Sequence, residues 1–187
     1  MTVGDQNLLE MPKGAERRLV LRLLKYWRDL LNDERDDHLF PPFADIDPTA
    51  IHKIWQHCFA LHLFGHESGP VFRAVGVEFS GYFGGSLADL PVSQLAPDSL
   101  TARASYYFPE VLEKNAPISR GVEIEGPDGV RILYRSILLP MSDDGETISG
   151  FLGATNCREE NIAVDQAVEP VTDAATDASE EYGYEII

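Results

Sequence analysis

The sequence predicts an α+β fold, in which a five-stranded antiparallel sheet carries helices on one face and has an N-terminal flanking helix. Three observations lead to this prediction. An apolar stripe at helical spacing opens the patterned region, two strand patterns follow it, and three further strand patterns joined by tight turns close it. Helical segments separate the second strand from the third, so we expect two groups of strands to meet in one sheet.

The patterned region covers residues 15–157, and we interpret it as one domain that includes the helix over 15–31. Residues 1–14 are polar and are interrupted by Pro12 and Gly14, which is typical of a flexible leader. Residues 158–187 contain nine acids and one base and few aromatic residues. Such a segment cannot bury enough apolar surface to offset its chain entropy, so we predict a disordered acidic tail.

The first helix has one apolar face, because its large apolar residues recur at steps of three and four. These residues are Leu19, Val20, Leu23, Leu24, Trp27, Leu30 and Leu31. The stripe either packs on the chain's own domain or also pairs with a second chain, and both interpretations stay open at this point. We predict a homodimer in which Leu23, Trp27 and Leu30 are shared between the two helices.

A short helix and two strands follow. Asp47 and Pro48 favour a helix over about 48–55, because Asp caps the first N–H groups and proline fits the first position. Alternating residues over 57–64 predict a strand, and after a turn the residues 71–75 predict a second one.

Two helical segments connect the two groups of strands. The first covers 76–83 and is closed by Gly84. The second opens at Pro97 and continues to about residue 114, with a bend expected near Pro109.

Three strands complete the predicted domain, over about 116–125, 130–140 and 147–156. Their connections contain Pro127-Asp128-Gly129 and Ser142-Asp143-Asp144-Gly145. Both are predicted hairpin turns, because glycine tolerates the positive φ that a tight reversal requires.

Charge and composition exclude several classes of partner. The formal net charge is −16, and a surface this acidic opposes docking on nucleic acid or on anionic lipid. The start of the chain lacks a signal-peptide pattern, and no apolar run reaches the length of a membrane span. We therefore expect no nucleic-acid partner, no membrane insertion and a cytoplasmic location. The distant pair Cys58 and Cys157 fits reduced thiols.

Five stretches, taken in order, resemble the family of short stand-alone bacterial PAS proteins. They are Tyr26-Trp27-Arg28-Asp29-Leu30, Asp45-Ile46-Asp47-Pro48, Phe72-Arg73-Ala74-Val75-Gly76, Leu138-Leu139-Pro140-Met141-Ser142-Asp143-Asp144-Gly145 and Leu152-Gly153-Ala154. The resemblance implies a PAS-like sheet and a sensory or protein-interaction domain without its own output enzyme. It also implies action through signalling proteins such as histidine kinases, and dimerisation through flanking helices. It supplies no catalytic residues.

A ligand pocket is the main functional hypothesis from the sequence. In a PAS-like arrangement the sheet and the middle helices enclose a cavity, and aromatic residues are concentrated in the segments that would line it. The candidate ligand-binding residues are Arg73, Tyr82, Phe83, Tyr107, Tyr134 and Arg135. If the two arginines face inward, the unidentified small molecule should be anionic, because guanidinium groups bind carboxylates bidentately. The alternative is a ligand-free dimerisation or scaffold domain whose aromatic residues fill the core.

Other sites are disfavoured by the pattern of residues. Asn156-Cys157-Arg158 matches a flavin-adduct motif, but it falls at the end of a strand, where a helix would be required. His57 and His62 lie an odd number of residues apart on a strand and point to opposite faces, which does not suit a metal site. We therefore expect no metal, no cofactor and no catalytic residue, and we predict that the chain is not an enzyme.

Overall fold

The computed structural model describes residues 15–32, 38–63, 69–125, 130–161 and 181–185. Four predictions lie wholly or mostly outside the described residues: the leader over 1–14, most of the turn over 66–70, the hairpin turn at Pro127-Asp128-Gly129 and residues 162–180 and 186–187 of the tail. In chain order the helices and strands are α1 (Ala15–Asn32), α2 (His52–Trp55), β1 (Cys58–His62), β2 (Val71–Val75), α3 (Val77–Phe83), α4 (Leu100–Ser105), α5 (Phe108–Lys114), β3 (Ile118–Glu125), β4 (Val130–Met141), β5 (Gly150–Asn161) and β6 (Glu181–Glu185).

All strands belong to one antiparallel sheet with the order β2-β1-β5-β4-β3-β6. The five predicted strands, the helices between β2 and β3, and the N-terminal helix are all present, so the predicted α+β class is confirmed. The first group of strands joins the second through β1 and β5, where Phe59 lies opposite Gly153.

The sheet has a helical layer on each face. On one face α1 packs against β4 and β5, with Ile137 and Leu139 among the buried partners. On the other face the helices α3, α4 and α5 cover Phe59, Leu138 and Phe151. Successive residues of a strand point to opposite faces, so each central strand supplies both layers.

The apolar stripe of α1 is buried inside the chain's own domain. Leu23 is fully buried, and Trp27 is 6% exposed and donates a hydrogen bond from Nε1 to the carbonyl oxygen of Pro140 at 2.8 Å. These two side chains are therefore not available to a second chain, and the prediction that they are shared in a dimer is corrected. Leu30, the third residue of that prediction, is half-buried.

Two helix boundaries differ from the prediction for local reasons. Asp47 accepts a hydrogen bond from the backbone N–H of Thr49 at 2.8 Å and so closes a turn, while α2 begins only at His52. The long helical stretch is divided into α4, capped by the hydroxyl of Ser99, and α5. Pro109 lies in the first turn of α5, where its missing N–H removes no helical bond.

The end of the chain differs most from the prediction. β5 continues to Asn161, beyond the predicted domain end at residue 157. A sixth strand, Glu181–Glu185, pairs with β3 inside the segment over 158–187 that was predicted to be disordered. Composition favours disorder here, but the open edge of β3 provides backbone partners that composition does not register.

None of the helices within the described residues is long and apolar enough to cross a bilayer.

Candidate ligand-binding cavity

A cavity of about 320 Å³ lies between the helices α4 and α5 and the strands β3 and β4. It is lined by Pro97, Asp98, Arg103, Tyr106, Tyr107, Glu110, Arg120, Val122 and Tyr134. Aromatic rings and charged groups therefore share its walls, so apolar surface lies beside polar groups that can orient a small molecule.

The break between α4 and α5 shapes one wall of the cavity. Tyr107 lies at this break and is buried, while its neighbour Tyr106 is partly exposed and donates from its hydroxyl to the carbonyl oxygen of Leu95 at 2.7 Å. A continuous helix would place these two residues about 100° apart around one axis. Both residues line the cavity, Tyr107 as a buried residue and Tyr106 as a partly exposed one.

Arg120 is the central charged group of the cavity. Its guanidinium forms an ion pair with the carboxylate of Glu110 on α5, and its Cζ atom lies 5.1 Å from the centre of the Tyr107 ring. The Arg120 side chain is 20% exposed, so the ion pair is partly shielded from water. β3 and α5 are thus connected by one charged contact at the cavity.

Two buried tyrosines supply neutral hydroxyl groups. The Tyr107 hydroxyl lies 3.0 Å from Oγ of Ser136, and burial raises the pKa of Tyr107 well above its ordinary value. Burial also raises the pKa of Tyr134, although the nearby hydroxyls of Ser136 and Thr155 act in the opposite direction. Neither of those hydroxyls completes a hydrogen bond of ordinary geometry with the Tyr134 hydroxyl. Both phenols therefore stay protonated at neutral pH.

The structure brings two of the six candidate residues, Tyr107 and Tyr134, to the cavity. Arg135 follows Tyr134 on β4 and therefore points to the face covered by α1, where its guanidinium passes Gly121 of β3. The expectation that both residues line one pocket is corrected by this alternation.

The other three candidates also lie outside the cavity lining. Arg73 is exposed and forms an ion pair with Asp89. Phe83 is exposed at the end of α3. Tyr82 is half-buried beside Cys157, and burial raises the pKa of its hydroxyl to about 12.

The charged residues of the cavity were missed by the sequence prediction: Asp98, Arg103, Glu110 and Arg120. The sequence does contain a signal for Arg120. On one face of β3 this residue lies between two apolar residues, Ile118 and Val122. No comparable signal marks Arg103 or Glu110, since their role depends on how α4 and α5 dock on the sheet.

The centre of the same helical layer is filled with aromatic side chains. Phe59, Phe72, Phe79 and Phe151 are fully buried, and the rings of Phe59 and Phe79 stack with centres 4.2 Å apart. The cavity therefore lies beside this packed core, toward β3 and the break between α4 and α5.

The remaining motifs lie away from the cavity. Cys157 lies on β5, so the flavin-like triplet is on a strand. The ring of His62 stacks on Phe43 at 4.1 Å, and burial lowers the pKa of both His57 and His62. Within the part of the chain that the structure describes, no group of three His, Cys, Asp or Glu residues could hold a metal ion.

Comparison with known proteins gives one result. A search of curated proteins and a search of solved structures each found no match. A family model described as PAS domain matches residues 16–156, from the start of α1 to the middle of β5. It covers most of the chain and contains every residue that lines the cavity, and the chain therefore belongs to the PAS domain family.

Proposed function

We propose that this protein is a non-catalytic PAS regulatory module that binds a small carboxylate-bearing molecule in the cavity beside Arg120. Binding would change its contacts with a partner signalling protein, for example a histidine kinase. PAS domains in general are sensory or regulatory modules, which supports the module part of the proposal. The observation that carries the ligand part is the cavity itself, whose 320 Å³ falls in the usual range for small ligands.

The chemistry of the lining favours a carboxylate. Arg120 offers a planar guanidinium that matches two carboxylate oxygens, and Tyr107 and Tyr134 line the cavity beside it. Arg103 adds a second guanidinium at the exposed side, and it forms no ion pair with any residue that the structure describes. A carboxylate seated here would have hydrogen-bond donors on two sides.

The ion pair between Arg120 and Glu110 suggests how binding could be transmitted. Glu110 already supplies a carboxylate to Arg120, so a ligand carboxylate competes with it for the same guanidinium. Losing this contact would loosen α5 from β3, because the pair connects the two elements. A ligand can shift an equilibrium between two states only by such a difference in contacts.

Thermal unfolding of the full chain against a panel of small mono- and dicarboxylic acids tests the proposal. A ligand present at about 100 times its Kd stabilises the folded state by about 2.7 kcal/mol, which is a shift of several degrees in Tm. We expect such a shift for at least one acid and its loss in Arg120→Met. Arg73→Met is the matched control, because Arg73 pairs with Asp89 outside the cavity, and it should keep the shift.

Two results would contradict the proposal: no shift across the panel, or an equal shift in Arg120→Met and the unmodified chain. The first result would favour the alternative function, a ligand-free dimerisation or scaffold domain. The packed rings of Phe59, Phe72, Phe79 and Phe151 are the observation that favours this alternative. The homodimer and the cytoplasmic location stay predictions in both cases.

A further inference from the structure

The C-terminal strand β6 occupies one edge of the sheet. It pairs antiparallel with β3 over five positions, from Ile118 opposite Glu185 to Val122 opposite Glu181. The strand order places β3 at the end of the five-stranded PAS-like sheet, so its outer side would present unpaired N–H and C=O groups without β6. Such an edge is a template on which another extended segment can pair.

We propose that the outer edge of β3 is a docking site for an extended acidic segment of a partner protein. In this proposal Glu181–Glu185 is a built-in occupant that the partner segment displaces. The inference goes beyond the proposed function, because it does not require a small molecule in the cavity.

The connection to β6 is much longer than the pairing requires. Asn161 lies opposite Val130, and Glu181 lies opposite Val122, which itself pairs with Tyr134. Asn161 and Glu181 are therefore separated by three strand spacings of about 4.8 Å and by four residues of about 3.4 Å along the strands. Together these give a distance of roughly 20 Å between the two residues. The 19 residues between them can span up to roughly 65 Å. The connection therefore does not force β6 onto the edge, and the pairing itself must hold it there.

The pairing is one that another segment can replace. β6 has five residues and pairs with β3 alone in the described sheet, as the outermost strand in its order. Short edge strands are among the elements that open most easily. Affinity in strand addition comes mainly from main-chain hydrogen bonds, which any extended segment with free N–H groups can make.

The charges along β3 indicate the chemistry of the partner. The paired stretch over 118–122 contains one charged residue, Arg120, and Gly183 lies opposite it. The register places Glu181 and Glu185 two positions on either side of Gly183, so they are the diagonal neighbours of Arg120. Long side chains can interact across such diagonals, and opposite charges there are favourable. A small residue flanked at two positions by acids therefore fits this edge.

The test opens the edge in the full chain and supplies a strand in trans. The double variant Tyr182→Pro/Gly183→Pro removes two successive N–H groups. Successive N–H groups of a strand point to opposite sides, so one of the two must face β3. The control variant Ala174→Pro/Ala175→Pro places the same two prolines in the connection. The probe is a fluorescein-labelled peptide with the sequence of residues 179–187, and its binding is measured by fluorescence anisotropy.

We expect the peptide to bind Tyr182→Pro/Gly183→Pro at least tenfold more tightly than it binds the unmodified chain or the control variant. Replacing the two glutamates of the peptide that correspond to Glu181 and Glu185 by lysine should weaken binding. Hydrogen exchange should show fast exchange in the strand variant at those residues of 118–122 whose N–H groups face β6, and slower exchange there after peptide addition. Retained protection of β1 and β5 in the same experiment shows that the variant is folded.

The proposal is wrong if the peptide does not bind the folded strand variant, or if it binds all three proteins with equal affinity. Equal binding of the lysine peptide would exclude the acidic partner. None of these readouts depends on a carboxylic acid in the cavity, so this proposal and the proposed ligand function can fail separately.

Discussion

Gly153 on β5 lies where a side chain would collide with the core. A Cβ atom at this position would be 2.3 Å from Cζ of Phe59 and 2.9 Å from Cδ2 of Leu138. Both of these side chains are fully buried, so neither has space to move. Gly81 on α3 is the opposite case, since no atom lies within 4 Å of its added Cβ.

These two glycines give a matched pair of alanine substitutions. Gly153→Ala should lower the free energy of unfolding by about 1–3 kcal/mol, the usual cost of overpacking a core. Gly81→Ala should raise it by about 0.4–1 kcal/mol, because alanine restricts the unfolded chain and fits the helix. Urea denaturation followed by circular dichroism measures both. A Gly153→Ala variant as stable as the unmodified chain would show that the Phe59 ring can be displaced at no cost.

Only some of the residues that line the cavity could be predicted from the sequence. Tyr107 and Tyr134 were predicted from their aromatic character, and the structure brings both to the lining. Arg135 was predicted beside Tyr134, although the two-residue period of a strand already excludes that pair from one face. Arg103 could not be found from the sequence, because its position at the cavity depends on how α4 docks on the sheet.

At the scale of elements, α1 is the clearest case in which a correct pattern left two interpretations open. Its apolar stripe predicted the helix closely, and the structure bounds it at Ala15–Asn32. The residue pattern of such a stripe does not indicate which surface covers it. The sheet covers it here, since Trp27 reaches the carbonyl oxygen of Pro140 on β4.

Replacing Trp27 by alanine should therefore act on folding. We expect Trp27→Ala to lower the free energy of unfolding by about 3–5 kcal/mol, because it leaves a cavity and an unsatisfied carbonyl oxygen. Arg28→Ala on the exposed side of the same helix should change it by less than about 0.5 kcal/mol. Chemical denaturation measures the free energy of unfolding of both variants. Light scattering on folded Arg28→Ala measures its molecular mass in solution and shows whether the exposed side of α1 affects the oligomeric state. A Trp27→Ala variant of unchanged stability would contradict the intramolecular packing of α1.

At the scale of the whole molecule, the charge of −16 is unevenly distributed, and half of it falls on residues 158–187. A net charge this far from zero favours expansion, since like charges repel more strongly in the compact state. The ion pairs Lys25–Asp29, Arg73–Asp89 and Arg120–Glu110 each have at least one well-exposed partner, and exposed pairs contribute little stability. Repulsion should therefore dominate the response to salt.

Sodium chloride should stabilise the chain at neutral pH. Raising the salt from about 0.01 M to about 1 M shortens the Debye length from about 30 Å to about 3 Å and screens the repulsion. We expect the urea midpoint to rise over this range, and to rise much less near pH 4.5, where the net charge is close to zero. A midpoint that falls with salt at neutral pH would mean that attractive pairs outweigh the net repulsion.

The sequence by itself determined the type and order of α1 to β5 and the resemblance to PAS proteins. Helical and strand periods, turn glycines and short ordered motifs are local properties, and they can be read without knowing what each element contacts. Only the tertiary structure decided that α1 is covered by its own sheet and that Arg120 meets Glu110 and Tyr107. It alone placed Glu181–Glu185 on the edge of β3. Each of these contacts joins residues that are distant in the chain or on different elements, so it depends on docking and register, which no local pattern records.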